Sequence, residues 1–471
     1  MGTLYDKLKQ YSDSDYYGFH MPGHKRNPQF ADCDIPYSLD ITEIEGFDDL
    51  HHAEGILKEA QERAASVYEA DETHFLVNGS TVGILSAVLG LTEKNDTILV
   101  ARNCHKSVYH AIQIQELKPV YLYPEFDRRI GLSGEVSVED VQKELERNPQ
   151  IKAVMIVSPT YDGVVSDVKT IAKAVHEKGI PLIVDEAHGA HFGFHPHFPK
   201  NSNRLGADIV IHSLHKTLPS LTQTALLHMN GRLADRTRVR EYLHMLQSSS
   251  PSYILMSSID NCMNLLKEQK AGLFENYVNR LEKLRSDLKN LKVLQIVKTE
   301  HYDNSKIVIS TKAAGMSGKK LQELLLRQYH LQMEMAAGTY VLAMTSVADT
   351  EEGFARLEHA LTEIDETLQG TAVTEKIGNL PDGELPRLDQ IYSCAQAKRL
   401  TGSCKMFLTW QESIGHIALE YAYLYPPGIP LIVPGERITK EASDLLRIYQ
   451  ELGYSIEGLM VKESIEVWKN G

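Results

Sequence analysis

The sequence is short of the features that would name its chemistry at once. Its 471 residues include two tryptophans and five cysteines, Cys33, Cys104, Cys262, Cys394 and Cys404, an odd and scattered set with no CxxC pair. That excludes a zinc ribbon, a redox dithiol and a disulfide framework, and reads as the reduced thiols of a cytoplasmic protein. No run of about 18 apolar residues is present to span a membrane, and the polar start MGTLYDKLKQYSDSDYYGF has no signal-peptide core. Asp6 stands where a myristoylation motif needs Ser or Thr, so no lipid anchor is expected. Basic charge is scarce too: 49 Lys plus Arg against 63 Asp plus Glu leave −14, which argues against a nucleic-acid partner and suits a cationic small molecule.

Hydrophobic residues at 42% and charged ones at 24% are ordinary for a globular chain, which excludes disorder as a global description. At about 150 residues per domain, the length suggests three domains or one large core with attachments. Residues 1–54 read as an arm, with HMPGHKRNP and an acidic run from Asp40 to Asp49. Helical spacing begins after Glu54, through Ile56, Leu57, Ala60, Ala64 and Val67. Seven short apolar runs then alternate with helical stretches: HFLV, TILVA, PVYLY, AVMIV, PLIVD, DIVIHS and ALLHM. Several are apolar throughout, as strands covered on both faces of a parallel sheet must be. This predicts a doubly wound α/β domain over residues 55–294, closed by a helix from Asn261 to about Lys289. KIVISTKA opens a smaller α+β domain at 295–372, and a C-terminal domain over 373–471 carries YPPGIPLIVPGE.

Ligands of open α/β sheets collect at the C-terminal ends of the strands, so the residues just after each apolar run are the informative ones. After HFLV, Asn78, Gly79, Ser80 and Thr81 precede a helix starting near Val82, and small residues there can cradle a phosphate or form an ordinary turn. His105 follows TILVA; Thr160, Tyr161 and Asp162 follow AVMIV. Asp185 ends PLIVD, with Glu186 and His188 behind it, and Ser213, His215 and Lys216 follow DIVIH. Each alone is most simply a cap, a satisfied polar group or a solvated charge. Together they supply what pyridoxal phosphate needs: a lysine for the Schiff base, an acid opposite the pyridine nitrogen, and phosphate donors.

SLHKT, VDEAHGAH, NGST, RNCHKS, FHMPGHK, LQSSSPSY and YPPGIPLIVPGE, spread over residues 18–440, resemble the bacterial ornithine/lysine/arginine decarboxylases. The resemblance implies the aspartate-aminotransferase fold (fold type I) and a pyridoxal-phosphate enzyme that decarboxylates lysine, arginine or ornithine to cadaverine, agmatine or putrescine. It implies Lys216 as the Schiff-base lysine, Asp185 at the pyridine nitrogen and His105 stacked on the ring. Gly79, Ser80, Thr81, Ser213 and His215 would serve the phosphate, and Thr160 and His188 would line the ring. Ser248 to Tyr253 resembles the stretch that reaches a partner subunit's cofactor, which implies a homodimer with its active site at the interface. The pattern starts near residue 18, so the resemblance is to the shorter branch without an N-terminal wing domain, and wing-mediated decamers are not expected.

The distal cationic group of such a substrate could be met by Asp40, Glu43 or Glu45, although a charge run is more often a solvated face. An aminotransferase or lyase on the same fold would share Lys216 and Asp185, but HMPGHK and YPPGIP favour the decarboxylase branch. DEAH at 185–188 spells a helicase signature, yet no GxxxxGK[ST] loop accompanies it; Gly318-Lys319 is followed by Lys320. His188, His191, His195 and His197 suggest a metal hydrolase, but no HExxH is present, and FGFHPHFP reads as a loop of surface histidines.

Overall fold

The computed structural model describes residues 15–19, 42–43, 47–369, 384–402, 404–425 and 428–469. HMPGHK, Asp40, Glu45 and Cys33 lie outside these residues. The seven apolar runs form one sheet of strands β1 (Glu72–Leu76), β2 (Thr97–Ala101), β3 (Lys118–Leu122), β4 (Ile151–Val157), β5 (Leu182–Asp185), β6 (Ile209–Ser213) and β7 (Ala225–Met229). Their spatial order is β1-β7-β6-β5-β4-β2-β3. Strands β2 to β6 pair in parallel, while β7 is antiparallel to both β6 and β1. Every residue of β2, β5, β6 and β7 is buried, because helices cover both faces of the sheet.

The helix expected after Glu54 spans Ile56–Tyr68 and buries Leu57, Ala60 and Ala64, but Ile56 is exposed and Tyr68 takes the inner position. Asp48, at the end of the acidic run, accepts from the backbone N–H groups of Glu54, Gly55 and Leu57, so this carboxylate ties down the helix start. The long helix begins eight residues earlier than its apolar pattern suggested: it runs from Tyr253 to Asp287, started by a Ser252 hydroxyl that accepts from Leu255 N–H. It packs on both Ile56–Tyr68 and Glu351–Leu368, so one apolar cluster joins the large sheet to residues 294–364. Charges along its length keep it from being a membrane span, and among the described residues no helix is long and apolar enough to cross one.

KIVIS forms β9 (Lys306–Ser310) of a four-stranded antiparallel sheet with β8 (Gln295–Val297), β10 (Met335–Ala337) and β11 (Tyr340–Met344), in the order β8-β9-β11-β10. Tyr17–Phe19 pairs in parallel with Leu331–Met333. The C-terminal region builds two three-stranded sheets, one containing Ile429–Ile432. It is held to the large sheet by a fully buried ion pair. Arg102, just past β2, lies 3.4 Å from Glu436 and donates to the carbonyls of Pro430 at 2.5 Å and Leu431 at 3.3 Å.

Candidate active site

Five strand ends converge on one place. Lys216 lies in the short helix Leu214–Thr217 after β6, and its Nζ is 2.9 Å from His188 Nε2, on the turn after β5. Burial lowers the Lys216 pKa, while the Asp185 and Glu334 carboxylates oppose that shift. Asp185 is 4% exposed and accepts from Ala187 N–H at 3.1 Å. Burial raises its pKa and the Lys216 field lowers it, so a cation facing this carboxyl is what would fix its charge. His188 is buried, is held neutral by burial and by Lys216, and has a buried Nδ1 with no hydrogen-bond partner.

His105 caps the helix Lys106–Ile114: its Nδ1 accepts from Ser107 N–H and lies 2.8 Å from the Ser107 hydroxyl. Burial, with Lys216 and Lys106 nearby, pulls its pKa down to about 3. Its ring is covered by Gly428 of the C-terminal region, whose carbonyl accepts from Lys106 N–H at 3.0 Å. A Cβ on Gly428 would come within 3.3 Å of the ring, and its φ of +80° favours glycine in any case. Gly428 thus meets the large sheet at His105.

The helix after β1 starts at Gly79, three residues before the expected Val82, so Gly79, Ser80 and Thr81 form its first turn. Gly79 has a φ of +75°, with nothing within 4 Å of where a Cβ would stand. The Ser213 hydroxyl donates to Ser80 at 2.7 Å, which joins the ends of β1 and β6. His215 Nδ1 is 2.9 Å from the Thr224 carbonyl; as the donor there, it leaves Nε2 a phosphate donor only when the ring is protonated. Thr160 faces inward, where its hydroxyl accepts from Val164 N–H at 3.0 Å. Ser248 donates its N–H to Asn78 Oδ1, which connects the SSSPSY stretch to the same helix start.

This donor set fits pyridoxal phosphate: a buried amine, a buried acid, an unsatisfied imidazole nitrogen and an open helix N-terminus with two hydroxyls. Two participants escaped the sequence reading. Glu334, between Met333 and β10, accepts from the Tyr161 hydroxyl, and the Tyr161 ring packs 4.6 Å from that of His188. Its only signal was one acid inside the apolar run LQMEMAA. Arg102 was signalled only as a charge directly after the apolar TILVA. His195 and His197 of the FGFHPHFP loop pair with Glu275 and Glu282 near the surface, while His188 and His191 are buried, the latter 3.0 Å from Asp303 Oδ1. The DEAH glutamate, Glu186, accepts from Ser202 N–H and lies 2.8 Å from His212 on the far side of the sheet.

Residues 2–318 match the family described as Orn/Lys/Arg decarboxylase, major domain, and residues 386–460 match Orn/Lys/Arg decarboxylase, C-terminal domain. The chain belongs to this decarboxylase family. The uncharacterized protein YaaO of Bacillus subtilis (strain 168) is 37% identical to it, over 98% of this chain and 97% of that protein. An arginine decarboxylase of the same organism is 32% identical, over 97% of this chain and 95% of its own length. The crystal structure of the Francisella novicida lysine decarboxylase LdcF superposes with a TM-score of 0.78 at 20% identity, covering 98% of this chain and 80% of that one. That likeness is one of fold, and with the strand order above it makes this decarboxylase a fold type I α/β protein.

Proposed function

We propose that this decarboxylase removes the α-carboxylate of lysine, arginine or ornithine with pyridoxal phosphate held on Lys216. The observation that carries the reading is the meeting of Lys216, Asp185 and His188 at the ends of β5 and β6, beside the open helix start at Gly79. Lys216 would hold the cofactor through its amine, Asp185 would face the pyridine nitrogen, and Gly79, Ser80, Thr81 and Ser213 would receive the phosphate. When bound, the cofactor supplies an electron sink for the charge left by departing CO₂.

The protein's part is orientation, exclusion of water and proton control. A buried Asp185 keeps a charge opposite the ring nitrogen only while that nitrogen is protonated. His105, which burial holds near a pKa of about 3, carries no acidic proton near neutrality and serves as a neutral stacking surface, which leaves Lys216, once released from the cofactor, to bring the proton to Cα. Gly428 lies against His105 and limits water there. Glu334 is a carboxylate, besides Asp185, whose field reaches the Lys216 amine, and it is the described residue best placed to meet a cationic substrate.

The reading also puts two such sites at the interface of a homodimer, through Ser248 to Tyr253. Incubation of the cofactor-loaded protein with each amino acid, followed by mass spectrometry, tests the reaction: cadaverine, agmatine or putrescine is expected. A 2-oxo acid in their place would assign an aminotransferase on the same fold.

A further inference from the structure

A second cavity lies where the large sheet, the antiparallel sheet and the C-terminal region meet. Its volume is about 120 Å³, and neither Lys216, Asp185 nor His188 lines it. Its walls include Met335, Leu424 and Leu431. Among the polar residues set into this surface, beside Ser133, Thr339, Tyr340 and Tyr449, three bear on a ligand. Asn103 is 6% exposed, and its Oδ1 is buried with no hydrogen-bond partner. Tyr454 likewise presents a buried hydroxyl without a partner. Asp162 presents a carboxyl that accepts the Tyr340 hydroxyl at 2.6 Å. Buried polar atoms of this kind are nearly always satisfied, so two in one cavity point to a ligand.

The chemistry of the lining names its class. Burial raises the Asp162 pKa, so its charged form asks for a cation, and the amide oxygen and the phenol can accept from the same donor. The apolar walls ask for methylenes between the charge and the rest of the ligand. Lys306 lies in the field of both Asp162 and Asp303. We infer that this cavity, distinct from the Lys216 centre, binds a short aliphatic amine or guanidine, with Asp162, Asn103 and Tyr454 receiving its cationic end.

Asn103 stands two residues before His105, and Asp162 two after Thr160, so the cavity's occupant would bear on loops of the catalytic centre while not entering it. Leu424 and Leu431 belong to the C-terminal region, so occupancy would draw that region onto the His105 loop. Basic amines are the products expected of the proposed reaction, and the site would sense them. Binding itself depends on the cavity and not on turnover.

Calorimetric titration of the cofactor-loaded enzyme with cadaverine, and separately agmatine, tests it while the cofactor absorbance is recorded in parallel. Pentane-1,5-diol is the uncharged control. The expected result is a saturable heat, absent with the diol, that leaves the absorbance unchanged. Asp162→Asn should weaken it at least tenfold and Tyr454→Phe several-fold, both with wild-type circular dichroism. If Asp162→Asn fails to fold, Tyr454→Phe decides. Heat that always accompanies an absorbance change, or that the folded variants leave intact, overturns the second site. Absence of decarboxylation would overturn the functional reading and leave this titration unaffected.

Discussion

Replacing Arg102 with methionine should release the C-terminal region from His105 while leaving the large sheet folded. The guanidinium is fully buried and serves three acceptors of the C-terminal region: the Pro430 carbonyl at 2.5 Å, the Leu431 carbonyl at 3.3 Å and Glu436 at 3.4 Å. Its removal strands a buried carboxylate and two carbonyls, a loss of about 3–5 kcal/mol. At about 1.36 kcal/mol per decade, amide exchange across Ile429–Val433 should quicken by about two to three and a half decades.

The pH dependence has a definite sign. Burial already raises the Glu436 carboxyl and Arg102 pulls it back, so without Arg102 its folded-state pKa rises further. An acid with a raised folded pKa keeps its stability below its unfolded value of about 4.3 and loses it as pH climbs. The deficit should therefore be small near pH 4 and grow toward neutrality. Adding Glu436→Leu should restore much of the protection, because an apolar pair of similar volume replaces the ion pair at little cost. Hydrogen exchange read by mass spectrometry decides the matter. Unchanged exchange in Arg102→Met, or a double variant as labile as the single one, would refute the clamp.

Asp185→Ala should keep the cofactor attached yet cut turnover at least about a hundredfold, read as bound absorbance against amine release. Gly428→Val should distort the His105 ring and lower kcat; unchanged kinetics would argue that the contact is incidental. His105, with a folded pKa of about 3 against about 6.5 unfolded, contributes stability that is full above pH 6.5 and is lost as pH falls toward 3. Urea unfolding of cofactor-free His105→Gln should thus show a pH slope shallower by up to about 1.4 kcal/mol per unit in that window. Tyr161→Phe should raise KM more than it lowers kcat if the phenol holds Glu334 toward the substrate, and a kcat loss alone would contradict that role.

The sheet was legible because strands such as β2, β5, β6 and β7 are buried on both faces and so had to be written as mainly apolar runs; TILVA and DIVIHS needed nothing more. Strand-end residues could be found by topology, since a parallel sheet gathers them at one edge. What local pattern could not show was pairing across hundreds of residues. Arg102 finds Glu436, and Tyr161 finds Glu334, only once three sheets have packed. The helix Tyr253–Asp287 begins at the apolar turn Tyr253–Met256, ahead of the expected Asn261, and its start rests on one serine hydroxyl. The pairing of buried His191 with Asp303 was hidden in the same way, since the two are 112 residues apart.

The most direct test of the account compares the wild type with Lys216→Ala, each supplied with cofactor, reduced with borohydride and digested. Peptide mass locates the cofactor, and CO₂ release from lysine, arginine and ornithine is measured on unreduced samples. The account predicts cofactor mass on the Lys216 peptide and CO₂ from at least one amino acid in the wild type, with neither in the variant. Cofactor on another lysine, or undiminished CO₂ release from Lys216→Ala, would contradict it.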